Sequence, residues 1–215
     1  MAVTLRDARR GDEMEVAGVH VRSWQEAYRD LMPADFLAAL EPRDRAGRYE
    51  FDGGPEAPTT VVAVASANEV GGPVDELGGA GDGDDPSLTN SGEVRSGSSP
   101  SPVDRAPEGS AGTVIGFVTF GPSRDADRVG LGEIYALYVD PGRYEAGVGR
   151  MLMAHARRRL KEQGFGAAVL WVLLGNERAA SFYEREGWVP DGAVREEEPY
   201  GITSNVRRFQ LETLD

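Results

Sequence analysis

The chain of 215 residues has no cysteine. Disulfides, thiolate metal sites and a cysteine nucleophile are therefore excluded, and a reducing compartment fits. No apolar run approaches the roughly 18 residues of a membrane span. Met1 to Arg10 is mixed and charged, without the apolar stretch of a secretory signal. The expected location is the cytoplasm. Positive charge is scarce: 23 Lys and Arg stand against 36 Asp and Glu, a net charge of −13. Nucleic acid and membrane surfaces are disfavoured as partners, because both call for a basic face. The length fits one domain, large enough to be stable without staples.

The acidity is concentrated. Residues 67–111 hold nine Asp or Glu and two Arg, so seven of the thirteen net negative charges fall there. In the same segment 21 of 45 residues are Gly, Ser or Pro and none is aromatic. Such a composition buries too little apolar surface to offset the entropy of ordering. It reads as a disordered insertion within a single 1–215 domain. Apolar runs flank it, Thr59 to Ala65 and Thr113 to Phe120, and both read as strands. They are expected to pair as a hairpin with the insertion between them, since closure entropy grows slowly with loop length.

Elsewhere the pattern alternates strand and helix. Val3 to Arg9 reads as a strand. Asp12 is a candidate N-cap for a helix reaching Leu31, and a second helix runs from Pro33 to about Tyr49. Gly132 to Val139 is a strong strand, and Val148 to Gln163 is a helix stopped by Gly164. Ala167 to Leu173 reads as a buried central strand. Asn176 to Glu186 is a helix with Gly187 just beyond its end, and two strands follow near 188–194 and 206–211. Asp125 to Arg128 reads as a solvated loop, and Phe182 as core.

Two ordered segments carry the chemistry. In the first, a strand ending Val139-Asp140-Pro141 leads through a turn with Gly147 and Gly149 into a helix. A pyrophosphate needs several N–H groups aimed at one place, and a helix start supplies them with its positive dipole end. Glycine lets the main chain approach closely. The turn is not a Walker loop, which requires Gly-Lys-Ser/Thr. It is not a dinucleotide fingerprint either, because Leu152 stands where a third glycine belongs. The second segment, Asn176 to Trp188, is a helix carrying Tyr183.

In this order the pair resembles the acyl-CoA site of the GNAT superfamily of N-acetyltransferases. The family pattern at the turn is Arg/Gln-x-x-Gly-x-Gly/Ala. Gly147 and Gly149 match it, Tyr144 replaces the Arg or Gln, and Glu145 stands where many members have a further glycine. The resemblance implies an α/β fold: a mixed, mostly antiparallel sheet whose central parallel strands splay apart, flanked by about four helices. It implies acetyl-CoA as donor, bound by Leu137, Tyr138, Val139, Tyr144, Glu145, Ala146, Gly147, Val148, Gly149, Arg150, Asn176 and Tyr183. No metal is called for, and family members are often homodimers.

Acetyl transfer to an amine makes three demands. The amine must be neutral, so a base or relay is needed, because a lysine-like amine has a pKa of about 10.4. The charge developing on the carbonyl oxygen needs a donor, which a strand N–H near Leu137 to Val139 supplies. The leaving thiolate needs a proton. The resemblance assigns that acid to Tyr183 and a strand base to Glu133, with Tyr135 and Tyr138 as alternate carriers. Asn176 is equally a plain N-cap. His20, Trp24 and Tyr28 share one face of the first helix, at i, i+4 and i+8. Trp24, Tyr28 and Tyr135 are candidate acceptor contacts, and an aromatic wall suits a cationic or apolar acceptor. The acceptor amine itself is not readable. An alternative reading is a catalytically weak or inactive acyl-CoA-binding sensor or interaction module, motivated by Tyr144 and Glu145. A further one is transfer of a longer acyl chain.

Overall fold

The apolar runs rich in β-branched residues become strands of one sheet. The computed structural model describes residues 2–53, 57–66, 112–198 and 201–214. Among them the strands are β1 (Val3–Asp7), β2 (Thr59–Ser66), β3 (Gly112–Pro122), β4 (Gly132–Val139), β5 (Ala168–Leu173), β6 (Val189–Glu197) and β7 (Ser204–Leu211). Their spatial order is β1-β2-β3-β4-β5-β7-β6. Every neighbouring pair is antiparallel except β4 and β5, which are parallel. The helices are α1 (Glu13–Ala27), α2 (Ala34–Ala38), α3 (Pro42–Ala46), α4 (Val148–Glu162) and α5 (Glu177–Arg185). No helix among the described residues is long and apolar enough to cross a membrane.

The sheet separates two apolar layers. On one face Leu152, Met153, Ala156 and Leu160 of α4 and Ala180 of α5 pack against Val61, Ala63, Val118 and Leu170. On the other, Val16 and Val19 of α1 pack against Val62, Val64 and Phe117. Alternate residues of β2 serve opposite layers and both are buried, so this strand is apolar throughout rather than alternating. Pairing of β2 with β3 runs from Thr59↔Phe120 to Ser66↔Gly112. The expected insertion between them lies outside the described residues.

One expected element divides. The helix read from Pro33 to Tyr49 is two short helices, α2 and α3. Pro42 takes the first turn of α3 and disfavours helical geometry in the residue before it. Glu41 is accordingly extended, with φ −116° and ψ 134°. The first helix also ends earlier, at Ala27. Asp12 stands at its N-cap without a capping bond. Its carboxylate instead accepts from Arg6, at 2.6 and 2.9 Å, and from the Arg9 N–H.

The feature that matters for the site is a fork between β4 and β5. Their ladder covers only Gly132↔Ala168, Glu133↔Val169 and Ile134↔Leu170. The next residue of β4, Tyr135, is a bulge: β3 pairs Phe120 with Ile134 and Thr119 with Ala136. A bulge bends its strand and adds twist. Beyond it, β4 turns away from β5 and the two strands diverge.

Candidate active site

The fork opens a cleft of about 620 Å³. One wall is β4 from Ile134 to Val139, and the other is β5 from Leu170 to Leu173. Strand alternation fixes which main-chain groups face it. The Asp140 N–H donates to Ile115 of β3, and the Val139 carbonyl, pointing the other way, accepts from the Ser23 hydroxyl at 2.8 Å. The N–H groups of Leu137 and Val139 therefore face the cleft, on the side where β5 has departed.

Beyond Val139 the cleft meets the start of α4. The N-cap is Gly147, at φ 76°, with no side chain to satisfy the first helical N–H groups. Those of Val148, Gly149 and Arg150 are left for an anion, at the positive end of the helix dipole. Tyr144, Glu145, Gly147, Val148, Gly149 and Arg150 all line the cleft; Ala146 does not. Glu145 has φ 67°, the one non-glycine residue with positive φ among those described. Four arginines line the cleft (Arg143, Arg150, Arg178 and Arg185) against one carboxylate, Glu145. Positive charge is thus gathered here in a chain that is strongly acidic elsewhere. Arg178 lies 3.7 Å from the centre of the Tyr144 ring.

Helix α5 supplies the third wall. Asn176 is its N-cap, accepting from the Ala179 N–H at 3.1 Å, and it also lines the cleft. At the other end Gly187 has φ 87°. Its N–H donates to the Glu184 carbonyl, and the Trp188 N–H donates to the Tyr183 carbonyl. This glycine-terminated pattern closes the helix and pins Tyr183 at the cleft wall. Tyr183 is 9% exposed. Burial raises its hydroxyl well above the usual tyrosine range, and the Tyr138 hydroxyl adds to the effect. Burial raises Tyr28 and Tyr138 as well, and the two hydroxyls interact with one another. The phenols facing the cleft therefore stay protonated through neutral pH.

The structure does not bring every expected residue to this cleft. Glu133 is 1% exposed and absent from the lining. Its oxygens accept from the Arg124 main-chain N–H at 2.8 Å and from the Arg124 guanidinium at 2.5 Å. Position decides this: Glu133 precedes the bulge, inside the closed part of the ladder. Trp24 is also outside the lining, packed with Met32 and Leu37, while Tyr28 and Tyr135 do line it. His20 is buried among Trp24, Phe117 and Tyr138. Its Nε2 accepts from Arg45 at 2.8 Å, so the neutral ring donates from Nδ1 to Tyr49 at 2.7 Å. Burial, with the Arg45 charge, lowers its pKa to about 2, and it stays uncharged.

Other residues enter the site unannounced. Phe182 packs against the core, as expected, and also lines the cleft. Trp171 lines it from the middle of an apolar run. The period of two separates Trp171 from Leu170 and Val172, and applying it would have exposed this residue. Arg178 and Arg185 flank Tyr183 on α5, seven residues apart, which helical periodicity also shows. Asp125 is not in a solvated loop. It is 7% exposed and accepts from Trp171 Nε1 at 3.0 Å, from Arg195 at 2.5 Å and from Arg208 at 3.0 Å.

Three comparisons bear on this arrangement. A model described as "Acetyltransferase (GNAT) family" matches residues 84–188. An uncharacterised N-acetyltransferase of Bacillus subtilis, YuaI, is 25% identical over 174 residues, covering 81% of this chain and 73% of that protein. A mycothiol acetyltransferase of Streptomyces avermitilis is 42% identical over 59 residues, covering 27% of this chain and 19% of that protein. In fold, the chain is similar to the PaiA N-acetyltransferase of Thermoplasma acidophilum, solved in complex with coenzyme A. The TM-score is 0.55 at 14% identity, over 96% of this chain and 98% of that one.

Proposed function

We propose that the chain is an acetyltransferase of the GNAT family, whose model matches residues 84–188, and that it transfers acetyl to a primary amine of a small molecule or peptide by direct attack. Acetyl-CoA is its acetyl donor. The observation that carries the proposal is the fork: two diverging strands with free main-chain groups, ending at an uncapped helix start and walled by a buried tyrosine.

The residues fit the donor. A pyrophosphate is matched by the N–H groups of Val148, Gly149 and Arg150 and by the surrounding arginines. An amide-bearing arm is matched by the unpaired edge of β4. The donor supplies an activated acetyl thioester; the chain supplies position and charge. The N–H groups of Leu137 and Val139 face the cleft as donors for charge developing on the carbonyl oxygen. Tyr183 gives its proton to the departing sulfur as the new C–N bond forms and the C–S bond breaks, and the proton that the attacking nitrogen sheds restores the phenol. Burial raises the phenol, and burial of the thiolate in the same cleft favours its protonation too, so the two shift in the same direction.

Among the described residues lining the cleft, Glu145 is the only carboxylate, and it sits at the phosphate end. The acceptor amine therefore enters the attack neutral, having lost its proton to solvent. Glu133 serves instead to hold Arg124 against the Tyr135 ring.

Amine-dependent release of CoA tests the acid. Tyr183→Phe should lower kcat by about 100-fold while leaving the Kd for acetyl-CoA nearly unchanged. A kcat within twofold of the parent enzyme would remove Tyr183 from the role. One observation favours the second reading, a weak or inactive acyl-CoA binder: the strained, negatively charged Glu145 in the phosphate turn. Acetyl-CoA binding without turnover of any amine would support it.

A further inference from the structure

The cleft divides by charge. Among the described residues its charged side chains are Arg143, Glu145, Arg150, Arg178 and Arg185, all between residues 143 and 150 or on α5. The part walled by α1, β4 and β5 carries no charged side chain among those residues. Aromatic rings stand there instead, and two of them mark the root of the fork. The parallel ladder ends at Ile134↔Leu170, so Tyr135 and Trp171 are the first residues past it on the two strands. Both line the cleft.

The two rings are held in the same way. A guanidinium lies over each, Arg124 at 4.2 Å from the Tyr135 ring centre and Arg195 at 3.9 Å from the centre of a Trp171 ring. Carboxylates fix both arginines: Glu133 holds Arg124, and Asp125 and Glu197 hold Arg195. Neither arginine lines the cleft, so the covered ring faces are turned away from it. The polar edges are taken as well. The Tyr135 hydroxyl donates to the Pro122 carbonyl, and Trp171 Nε1 donates to Asp125 at 3.0 Å. Asp125 is buried and also accepts from Arg208 at 3.0 Å, so the indole is fixed at its face and at its edge. The pair thus offers the cleft carbon surface with no free N–H or O–H.

Such a place suits an apolar group and disfavours a charged one. An ammonium entering it would leave water, meet no carboxylate there and approach two guanidinium groups behind the rings. A flat apolar group would gain from burial and from ring contact. Leu137, whose N–H faces the cleft as a donor for the carbonyl oxygen, stands two residues beyond Tyr135, roughly 7 Å along the strand. An amine at the thioester therefore reaches the rings through a short alkyl chain. We propose that the acceptor is an arylalkylamine, its uncharged ring seated at the root of the fork, with Trp171 as the residue that selects it. This rests on the N-acetyltransferase reading above.

The test compares butylamine with phenylbutylamine and diaminobutane, which carry a phenyl ring or a second ammonium at the far end of the same chain. The wild-type chain should favour phenylbutylamine over butylamine by about tenfold in kcat/KM, through KM, and should not favour diaminobutane. Trp171→Ala should bring phenylbutylamine down to the level of butylamine. Trp171→Phe, which keeps a ring, should retain part of the preference. Equal kcat/KM for butylamine and phenylbutylamine in the wild type, or a preference for diaminobutane, overturns the assignment and leaves amine acetylation standing. So does an equal loss on both monoamines in Trp171→Ala, which is the mark of a structural role. If acetyl-CoA binds but none of the three amines is acetylated, the N-acetyltransferase reading fails and this assignment with it.

Discussion

Glu145 occupies backbone space that suits glycine, and it brings a negative charge to a turn built for phosphate. The left-handed conformation costs a non-glycine residue about 1–2 kcal/mol, which a glycine's greater freedom in the unfolded chain partly offsets. Glu145→Gly should therefore change stability by less than about 1 kcal/mol. Removing the carboxylate should tighten acetyl-CoA binding about tenfold at low salt, less at high salt. Glu145→Gln separates the terms: a similar tightening assigns the effect to charge, and none assigns it to the backbone. Glu133 is the second residue at which structure redirects expectation. Its carboxylate accepts several bonds from Arg124, and losing charge-assisted hydrogen bonds of this kind costs about 2 kcal/mol. Glu133→Gln should lower Tm and leave the pH profile alone. That profile should rise with pH, because the acceptor must be neutral, and level off only near its own pKa of about 10. The phenol of Tyr183 must be protonated to act, and its raised pKa adds no falling limb below the ordinary tyrosine value. A plateau near neutral pH that disappears in Glu133→Gln would make Glu133 the base after all.

At the scale of the element, the site consists of three ends: the open end of the β4–β5 ladder, the start of α4 and the start of α5. Two were legible from sequence because glycine and asparagine mark helix ends by backbone chemistry alone. Gly147, Gly187 and Asn176 stand where their local rules put them. The bulge at Tyr135 was not legible, because an extra residue is defined only against the partner strand. The same limit hid the burial of Asp125 and Glu133, whose partners are distant or set by a turn. The Pro42 break was legible from that one residue. Asn176 carries two candidate duties, which an isosteric change separates. Asn176→Asp keeps a capping oxygen, so stability should hold within about 0.5 kcal/mol. A carboxylate added to the cleft should weaken binding of the anionic acetyl-CoA severalfold, as calorimetry would read. An unchanged Kd would leave Asn176 as a cap alone.

For the whole molecule, the strand and helix order followed from periodicity, and the charge is unevenly placed: four arginines line the cleft of a chain whose net charge is −13. Residues 67–111 depart from the β2–β3 pair at Ser66↔Gly112, at the end of the sheet's own ladder. Replacing them with a two-residue turn should shorten a closure of low entropic cost and leave both Tm and acetyl-CoA affinity close to those of the parent. A large loss of either would make the segment part of the fold or the site. The central claim is transfer, and one measurement meets it most directly: release of free CoA thiol from acetyl-CoA with and without an amine, with the amine product identified by mass. The account predicts amine-dependent thiol release matched mole for mole by acetylated amine. Saturable acetyl-CoA binding with no thiol released by any amine would contradict it.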